Sequence, residues 1–378
     1  MDEAVVSKNM PDNLDAGSAK TSTKRRWTDD NDLQSDTDTD SDGMSIKSTK
    51  SFDAQNIECV LENGRRYCND TYFMPNDDAE QTRLNVIHQL CLNLFEGKLT
   101  NVPLAKQTAR ILDIGTGPGH WAIDMSKAYP SATIIATDIG VFESGLGSAV
   151  EPTNVSFQLD DARNEWTYHE PFDFVHLRGL AGAFSDWSFI YKQAFRHLAP
   201  GGYIEITDAD PAAGCVSMPN SQGSYLSIYT SAMRSAAEAA GYPRDLRHLV
   251  PDLLTAVGFV NVRVVERTVP VGVWPDNPHD ELIGKMAWVA LLEGLEPYSL
   301  RPLTATGDWT EKGVRDLCEK VKTEIRTAKR TTVRVVTVTA RKQFSRASLR
   351  KNEMLLKLQR LDDEMTMNVD SNSNPNLT

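Results

Sequence analysis

The chain has 378 residues, of which 40% are hydrophobic, and this is enough for one large folded domain. The formal net charge of −12 argues against a protein that coats nucleic acid, so we expect no direct contact with DNA or RNA. The five cysteines are scattered and show neither a disulfide framework nor metal-ligand spacing, so we expect no metal site.

The sequence also indicates an intracellular protein. It contains no run of about 18 apolar residues that would predict a transmembrane helix, so no membrane association is expected. The N-terminus lacks the apolar core of a secretory signal. We expect a cytoplasmic location. The short basic run Lys24-Arg25-Arg26 is a weak hint of nuclear import, which is the alternative.

The two ends of the chain are polar. Residues 1–55 are rich in Ser, Thr and Asp and poor in aromatic side chains, which predicts a disordered acidic tail. Residues 368–378 form a second polar stretch, which we also expect to be disordered.

A cap segment over residues 56–105 is expected ahead of the main domain. Asp77 and Glu80 mark the start of a helix in it, as an Asp variant of the capping box. Apolar side chains then recur on one face of this helix, at Leu84, Ile87, Leu90, Cys91 and Leu94. The spacing predicts an amphipathic helix that packs against the domain over residues 106–342.

The run Ile111–Asp124, ILDIGTGPGHWAID, is the most informative stretch of the chain. Apolar residues around Asp113 predict a buried strand, and helical spacing resumes at Trp121. Between them lies a tight loop of Gly115, Thr116, Gly117, Pro118 and Gly119. Such a loop lets the backbone approach a ligand closely and directs a helix N-terminus at it.

The spacing of the glycines restricts which class of ligand this loop can bind. The glycines are one residue too short for the G-x-G-x-x-G of dinucleotide-binding folds, so a nicotinamide oxidoreductase is disfavoured. The loop also lacks the Lys and Ser/Thr of a P-loop, which argues against a triphosphate site. The carboxylate of Asp113, just before the loop, suits a cationic ligand better than a pyrophosphate.

Acidic residues follow the next two strands as well. Asp138 ends the second strand, where nucleoside-binding α/β folds place the acid that accepts from the ribose hydroxyls. Asp160-Asp161-Ala162 follows the third strand. Three acids after three successive strands are much more specific than one glycine loop.

The remaining elements complete an α/β pattern. Further strands are predicted over 132–137, 155–159, 172–177, 203–207, 259–265 and 332–340, with helices over 185–198, 224–240 and 251–257. Alternating strands and helices predict a mostly parallel sheet of seven strands with helices on both faces. The insertion over 275–330, with Trp288 and Tyr298, is expected to form a helical lid.

These motifs resemble those of class I S-adenosylmethionine-dependent methyltransferases, which have a Rossmann-like fold. The D-x-G-x-G-x-G run at Asp113–Gly119 is similar to their motif I, and Leu-x-Pro-Gly-Gly before the fifth strand is typical of them. The resemblance implies an S-adenosylmethionine cofactor bound by Asp113, Gly115, Thr116, Gly117, Gly119 and Asp138. It also implies that Asp161 and Ala162, with Asp160 as the alternative acid, contact the adenine, and that the helix in the 56–105 segment covers the cofactor.

Several separated motifs between about Leu61 and Lys342 resemble, more narrowly, the LaeA-like family of fungal methyltransferases. They are ENGRRY at 62–67, YFMPNDDAE at 72–80, WAID at 121–124, the 172–178 segment and LLEGL at 291–295. The resemblance implies either methylation of a small molecule of secondary metabolism or, alternatively, a nuclear regulator of that metabolism that acts through protein partners. The stretch Gly140–Gly147 departs from the family, whose members usually carry a Pro-rich loop with a Trp there.

Two questions about the acceptor side stay open. His176 and Arg178, at the end of the fourth strand, are our candidates for catalytic work on the acceptor, although His176 is equally a candidate for a hydrogen-bonded core residue. Residues 343–367 predict a C-terminal helix with Met354, Leu358 and Leu361 on one face. This helix either packs on its own domain or binds a protein partner.

Overall fold

A central sheet dominates the structure, which is a computed structural model that describes residues 23–26, 58–142, 152–219 and 222–344. In chain order the strands are β1 (Thr23–Arg26), β2 (Glu58–Glu62), β3 (Arg65–Tyr67), β4 (Arg110–Ile114), β5 (Thr133–Asp138), β6 (Val155–Leu159), β7 (Phe172–Arg178), β8 (Leu198–Asp208), β9 (Val216–Ser217), β10 (Phe259–Pro270) and β11 (Thr332–Lys342). The helices are α1 (Asp78–Leu94), α2 (His120–Ala128), α3 (Trp187–His197), α4 (Tyr225–Ala239), α5 (Pro251–Val257), α6 (Pro278–Ala305) and α7 (Glu311–Thr327).

The central sheet has the order β10-β11-β8-β7-β4-β5-β6, and the two-residue β9 pairs with β11. The pairs β4–β5, β4–β7, β5–β6 and β7–β8 are parallel, whereas β11 runs antiparallel to β8 and to β10. This is the predicted seven-stranded, mostly parallel sheet of a class I methyltransferase fold, with the short β9 added at one end.

Two hydrophobic cores cover the two faces of the sheet. On one face α2 packs Trp121 and Met125 against Ile111 and Ile134. On the other face α3 and α5 pack side chains such as Ile190 against Val175 and Ile206. Burial of apolar side chains on both faces is what makes β4, β5 and β7 nearly continuous hydrophobic runs.

The predicted lid insertion forms two helices, α6 and α7, which share a third core with α4. Side chains of the end of β10, such as Val269, belong to the same core and attach it to the sheet. Helix α1 packs along α6, so the cap and the lid meet above the carboxyl ends of the parallel strands.

Several predicted boundaries differ from the structure. The strand predicted over 259–265 continues to Pro270, because β11 offers it backbone partners along its whole length. The helix predicted from residue 185 begins at Trp187, after Asp186, whose side chain accepts a hydrogen bond from the Phe189 amide. The strand predicted from Tyr203 begins at Leu198, which bridges to Phe172.

The two ends of the chain are described only in part. Within the 1–55 segment, for which composition predicts disorder, Thr23–Arg26 forms a strand because the edge of β2 supplies antiparallel partners. The tail predicted over 368–378 and the helix predicted over 343–367, apart from its first two residues, lie outside the described residues. None of the helices in the described ranges is both long and apolar enough to cross a membrane.

Candidate active site

A cavity of about 260 Å³ lies at the carboxyl ends of the parallel strands, beneath α1 and α6. The ends of β4, β5, β7 and β8 all contribute to its wall. Open α/β sheets bind their ligands at this edge. Seven of the predicted site residues line the cavity: Asp113, Gly115, Thr116, Gly117, Asp138, His176 and Arg178.

The glycine loop between β4 and α2 forms the floor of the cavity. Gly115 has a φ of +66°, and a Cβ there would lie 2.5 Å from Leu180 Cδ2. Gly119 has a φ of +83°, and a Cβ there would overlap the Phe157 ring. The Thr116 amide donates to the Thr137 carbonyl at 3.0 Å, which ties the loop to β5. The positive φ at both positions favours glycine, and a Cβ would in addition have to displace the Leu180 or Phe157 side chain.

The carboxylate of Asp138 is held by the glycine loop. Its Oδ2 accepts from the Gly117 amide and its Oδ1 from the Gly140 amide, both at 2.9 Å. Burial is the largest influence on this group and raises its pKa from 3.8 to about 6, although the amide hydrogen bonds favour the charged form. The carboxylate lines the cavity, and a ligand that donates hydrogen bonds to it would stabilise its charged form.

Asp113 is buried and has one open oxygen. Its Oδ1 binds His176 Nδ1 at 2.7 Å, while no hydrogen bond reaches its Oδ2 within the described part of the chain. The His176 ring stacks on Trp121 with centroids 3.8 Å apart. These contacts match the alternative of a hydrogen-bonded core residue that supports Asp113. The acceptor-side role of His176, which also lines the cavity, stays a prediction.

Arg178 points into a small polar network at the back of the cavity. Its Nη2 lies 3.3 Å from His88 Nδ1, and His88 Nε2 lies 3.0 Å from Asp124 Oδ2. Burial, followed by the charge of Arg178, lowers the pKa of His88 to about 4, so the ring is neutral. His88 was missed in the sequence because it falls on the apolar face of α1, where its partner on β7 cannot be seen.

Three predicted residues do not line the cavity. Asp161 is bound by the guanidinium of Arg163, with Nη2 to Oδ2 at 2.7 Å, and Ala162 packs against the core. Gly119 shapes the loop from behind. The adenine contact at Asp161 and Ala162 remains a prediction.

A second group of charged side chains, absent from our predictions, lies across the cavity at the end of β8. Asp208 Oδ2 lies 2.9 Å from His248 Nε2, and Asp210 Oδ2 accepts from Arg244 Nε at 2.9 Å. The sequence signal was present, because Asp208 and Asp210 follow the fifth strand as the other acids follow theirs.

The roof of the cavity is closed by a buried ion pair and a tyrosine. Arg83 donates to both carboxylate oxygens of Glu80, at 2.7 and 2.9 Å, and the Tyr298 hydroxyl donates to Glu80 at 2.8 Å. Arg83 also donates to the Ala290 carbonyl of α6. Glu80 therefore does not make the side-chain half of the predicted capping box, while Asp77 does cap α1 by accepting from the Glu80 amide.

The open polar atoms fit S-adenosylmethionine. Asp113 Oδ2, Thr116 Oγ1 and Asn76 Oδ1 are buried without a hydrogen-bond partner among the described residues. Buried polar atoms of this kind are expected to have partners, so they indicate a polar ligand. Asp113 could accept from an ammonium and Asp138 from a ribose diol, and both acids favour a ligand with net positive charge.

Comparison with known proteins also indicates a methyltransferase. A model of the methyltransferase domain family matches residues 83–261. The chain is 31% identical to methyltransferase pytC of Aspergillus terreus over 290 residues, which are 76% of this chain and 87% of that protein. It is 32% identical to the secondary metabolism regulator LAE1 of Cochliobolus heterostrophus over 282 residues, which are 72% of this chain and 90% of that protein.

Solved structures are more distant. YcgJ of Bacillus subtilis is 17% identical, with a TM-score of 0.40 over 68% of this chain and 100% of that one. Phosphoethanolamine N-methyltransferase 2 of Haemonchus contortus, solved with S-adenosylmethionine, is also 17% identical, with a TM-score of 0.38 over 73% of this chain and 55% of that one. The assignment rests on the sequence relatives.

Sheet order, glycine loop and relatives therefore agree on the cofactor and the reaction class. The protein is a methyltransferase that uses S-adenosylmethionine as its methyl donor, and its fungal relatives include a methyltransferase and a regulator of secondary metabolism. The chain belongs to the LaeA-like family of fungal class I methyltransferases.

Proposed function

We propose that the protein methylates a small-molecule intermediate of fungal secondary metabolism. The observation that carries the proposal is the extension of the cavity past the cofactor loop to α6, where it is lined by apolar side chains such as Val269, Leu291 and Leu295. Pockets for small molecules combine apolar walls with a few placed polar groups. A chamber of this kind under a helical lid suits a compact acceptor better than the side chain of a folded protein.

In this proposal the glycine loop and the acids of β4 and β5 hold the cofactor. Asp138 would accept from the ribose hydroxyls, Asp113 would accept from the ammonium, and the glycine loop would hold the amino-acid portion. Arg178, a cation at the back of the same cavity, is placed to hold a carboxylate. When bound, the sulfonium supplies an electrophilic methyl group, and the protein aligns a nucleophile with it.

The alternative is a regulator that acts through protein partners, as the printed name of the LAE1 relative suggests for that protein. The predicted C-terminal helix over 343–367 would then be the partner surface, and the nucleus the place of action. A small-molecule enzyme would instead act in the cytoplasm without such a partner.

The two functions are separated by replacing the chromosomal gene with an Asp138→Ala variant and comparing metabolite profiles by mass spectrometry. For a small-molecule enzyme we expect one product to disappear and a precursor lighter by one CH₂ to accumulate. That precursor, added to the purified protein with S-adenosylmethionine, is then expected to be methylated.

The regulator gives a different pattern. Loss of many unrelated metabolites, without a lighter precursor, would favour regulation that depends on methyl transfer. An unchanged metabolite profile from a variant that no longer binds S-adenosylhomocysteine would exclude the enzyme. A matched Asp173→Asn strain controls for the change of a carboxylate, since Asp173 lies at the opposite end of the sheet and binds the amides of Ala109 and Arg110.

A further inference from the structure

Two acids at the end of β8 line the same cavity but have different partners. Asp210 is saturated: Arg244 donates to its Oδ2 through Nε and Nη2, both at 2.9 Å, and the Ala212 amide donates to its Oδ1 at 2.7 Å. The Asp208 side chain has one hydrogen-bond partner in the described part of the chain, His248, through Oδ2. The other carboxylate oxygen of Asp208 is left for a ligand.

His248 is fixed from three directions. Its ring stacks on Trp187 with centroids 4.2 Å apart and planes 15° from parallel. Its Nδ1 lies 3.1 Å from the Asp245 carbonyl, and its own carbonyl accepts from the Tyr191 hydroxyl at 2.5 Å. Because a carbonyl cannot donate, Nδ1 must carry a proton, and a second proton lies in the hydrogen bond between Nε2 and Asp208. The pair as a whole is therefore neutral.

The sheet topology places Asp208 at the same edge of the sheet as the glycine loop. Ile114, Leu177 and Ile206 are aligned across β4, β7 and β8. Asp208 ends β8 two residues beyond Ile206, and β8 is two strands away from β4, which leads into the glycine loop. Neighbouring strands are about 4.8 Å apart, so the separation is on the order of 10 Å, which leaves room for an acceptor between them.

The charges on this side of the cavity cancel. Arg244 is paired with Asp210, Arg83 with Glu80, and Asp208 with His248. The unpaired negative charge of the cavity lies on the cofactor side, at Asp113 and Asp138. An ammonium acceptor would find no uncompensated carboxylate here, whereas a neutral hydroxyl needs only one hydrogen-bond acceptor and a place for its proton.

We propose, on the basis of the proposed function, that Asp208 is the catalytic base for a neutral, apolar acceptor that presents a hydroxyl group, and that His248 positions it. The hydroxyl O–H bond breaks and its proton passes to Asp208 Oδ1. An oxygen lone pair forms the bond to the methyl carbon, and the carbon–sulfur bond breaks with its electron pair left on sulfur. The products are a methyl ether and S-adenosylhomocysteine, and the Asp208–His248 pair ends with one positive charge.

The first test uses binding to the full chain saturated with S-adenosylhomocysteine, so that no turnover occurs. The probes are 7-hydroxycoumarin and 2-naphthol, each compared with its own methyl ether by fluorescence titration. We expect the hydroxyl probes to bind at least about tenfold more tightly than the ethers, because only they can donate to Asp208. In Asp208→Asn we expect this preference to fall to less than about threefold, with unchanged affinity for S-adenosylhomocysteine.

The second test measures methyl transfer from S-adenosylmethionine to 7-hydroxycoumarin. A general base contributes about 10²–10⁴-fold, so we expect Asp208→Asn to lower kcat by at least about 100-fold. His248→Gln is expected to lower kcat about tenfold without changing the affinity for the hydroxyl probe, which separates positioning from a structural defect. Asp173→Asn is the matched control and should change neither quantity.

Each other outcome has a definite meaning. Equal binding of ether and hydroxyl probes, retained preference in Asp208→Asn, or no binding of any probe to protein that binds S-adenosylhomocysteine overturns the inference and leaves the proposed function intact. Failure of the unaltered chain to bind S-adenosylhomocysteine overturns the proposed function itself. If Asp208→Asn does not fold, as judged by circular dichroism, an unchanged kcat in His248→Gln overturns the inference.

Discussion

At the scale of single residues, Asp138 and Asp113, the two acids beside the glycine loop, differ in their surroundings. Burial disfavours the charged form of Asp138 and raises the pKa of its carboxyl group to about 6. Asp113 is held by His176 and keeps an open oxygen, Oδ2. The positions of both acids could be predicted because each ends a buried strand. Their difference could not, because it depends on Gly140 and on Trp121 behind His176, which only the fold brings near.

The raised pKa of Asp138 predicts opposite effects of pH on binding and on stability. In the proposed site the charged form of Asp138 is the acceptor for the ribose hydroxyls, so affinity for S-adenosylhomocysteine should rise as the pH increases through about 6. The stability that Asp138 contributes is fully present below its ordinary pKa of 3.8 and is lost as the pH rises through about 6. Titration calorimetry and thermal unfolding across this range measure the two quantities.

Asp138→Asn is the matched variant for this prediction. It should remove most of the pH dependence of binding and weaken binding at neutral pH. Above pH 6 it should also raise the midpoint of thermal unfolding of the ligand-free protein, because the substitution removes the buried charge that Asp138 carries there. A variant that binds with the pH dependence of the unaltered chain would show that Asp138 does not carry the titration.

The two acids should also be separable by ligand. Asp113→Asn is expected to weaken the binding of S-adenosylhomocysteine by about 1.5–3 kcal/mol, because it removes the proposed charge-assisted hydrogen bond to the ammonium. It should leave 5′-methylthioadenosine, which lacks the amino-acid portion, unaffected. Asp138→Asn should lower the affinity for both ligands by similar factors, as measured by calorimetry. Equal effects of Asp113→Asn on the two ligands would contradict the assignment of Asp113 to the ammonium.

At the scale of elements, the glycine loop and the cap–lid contact carry the site. The order of strands and helices could be predicted from apolar periodicity and from the glycine and capping signals. The length of β10 could not, because it is set by pairing with β11, which lies far along the chain beyond α6 and α7. Likewise, Arg244 and His248 lie far from β8 in sequence, so their pairing with Asp210 and Asp208 is visible only in the fold.

The loop predicts a matched pair of glycine variants. Gly97 and Gly119 have similar φ values of +78° and +83°, but a Cβ at Gly97 would meet no atom within 4 Å, whereas one at Gly119 would overlap Phe157. Gly97→Ala should therefore cost only the conformational penalty of about 1–2 kcal/mol. Gly119→Ala should cost more and should also weaken cofactor binding. Equal losses in urea unfolding would mean that Phe157 moves away freely.

The contact between α1 and α6 predicts a large effect of a small change. Glu80 is 1% exposed and Arg83 is 8% exposed, so Glu80→Gln leaves a buried guanidinium without its carboxylate. We expect a loss of about 3–5 kcal/mol in the free energy of unfolding. The control is Glu170→Gln, whose partner is Arg110 and whose side chain is 70% exposed. It should cost less than about 1 kcal/mol, and similar losses in the two variants would contradict a buried pair.

At the scale of the whole molecule, the cavity joins parts of the chain that are distant in sequence. Residues from the cap, from four strand ends and from the lid line it. A ligand there binds only the complete fold. S-adenosylhomocysteine at 100 times its Kd should therefore stabilise the protein by about 2.7 kcal/mol, observed as a rise in the midpoint of thermal unfolding. In Asp138→Ala the rise should disappear at the same ligand concentration, and a rise that persisted would place the ligand elsewhere.

The reversed strand β11 has a consequence for synthesis on the ribosome. It is the last described strand of the sheet, yet it lies inside it, between β8 and β10. The cofactor loop and its acids are translated early, but β8 and β10 have no strand to join them until residues 332–342 have left the exit tunnel. A chain stopped before this point keeps the whole cofactor motif while lacking an interior strand. Nascent chains should therefore acquire protease resistance late and in one step.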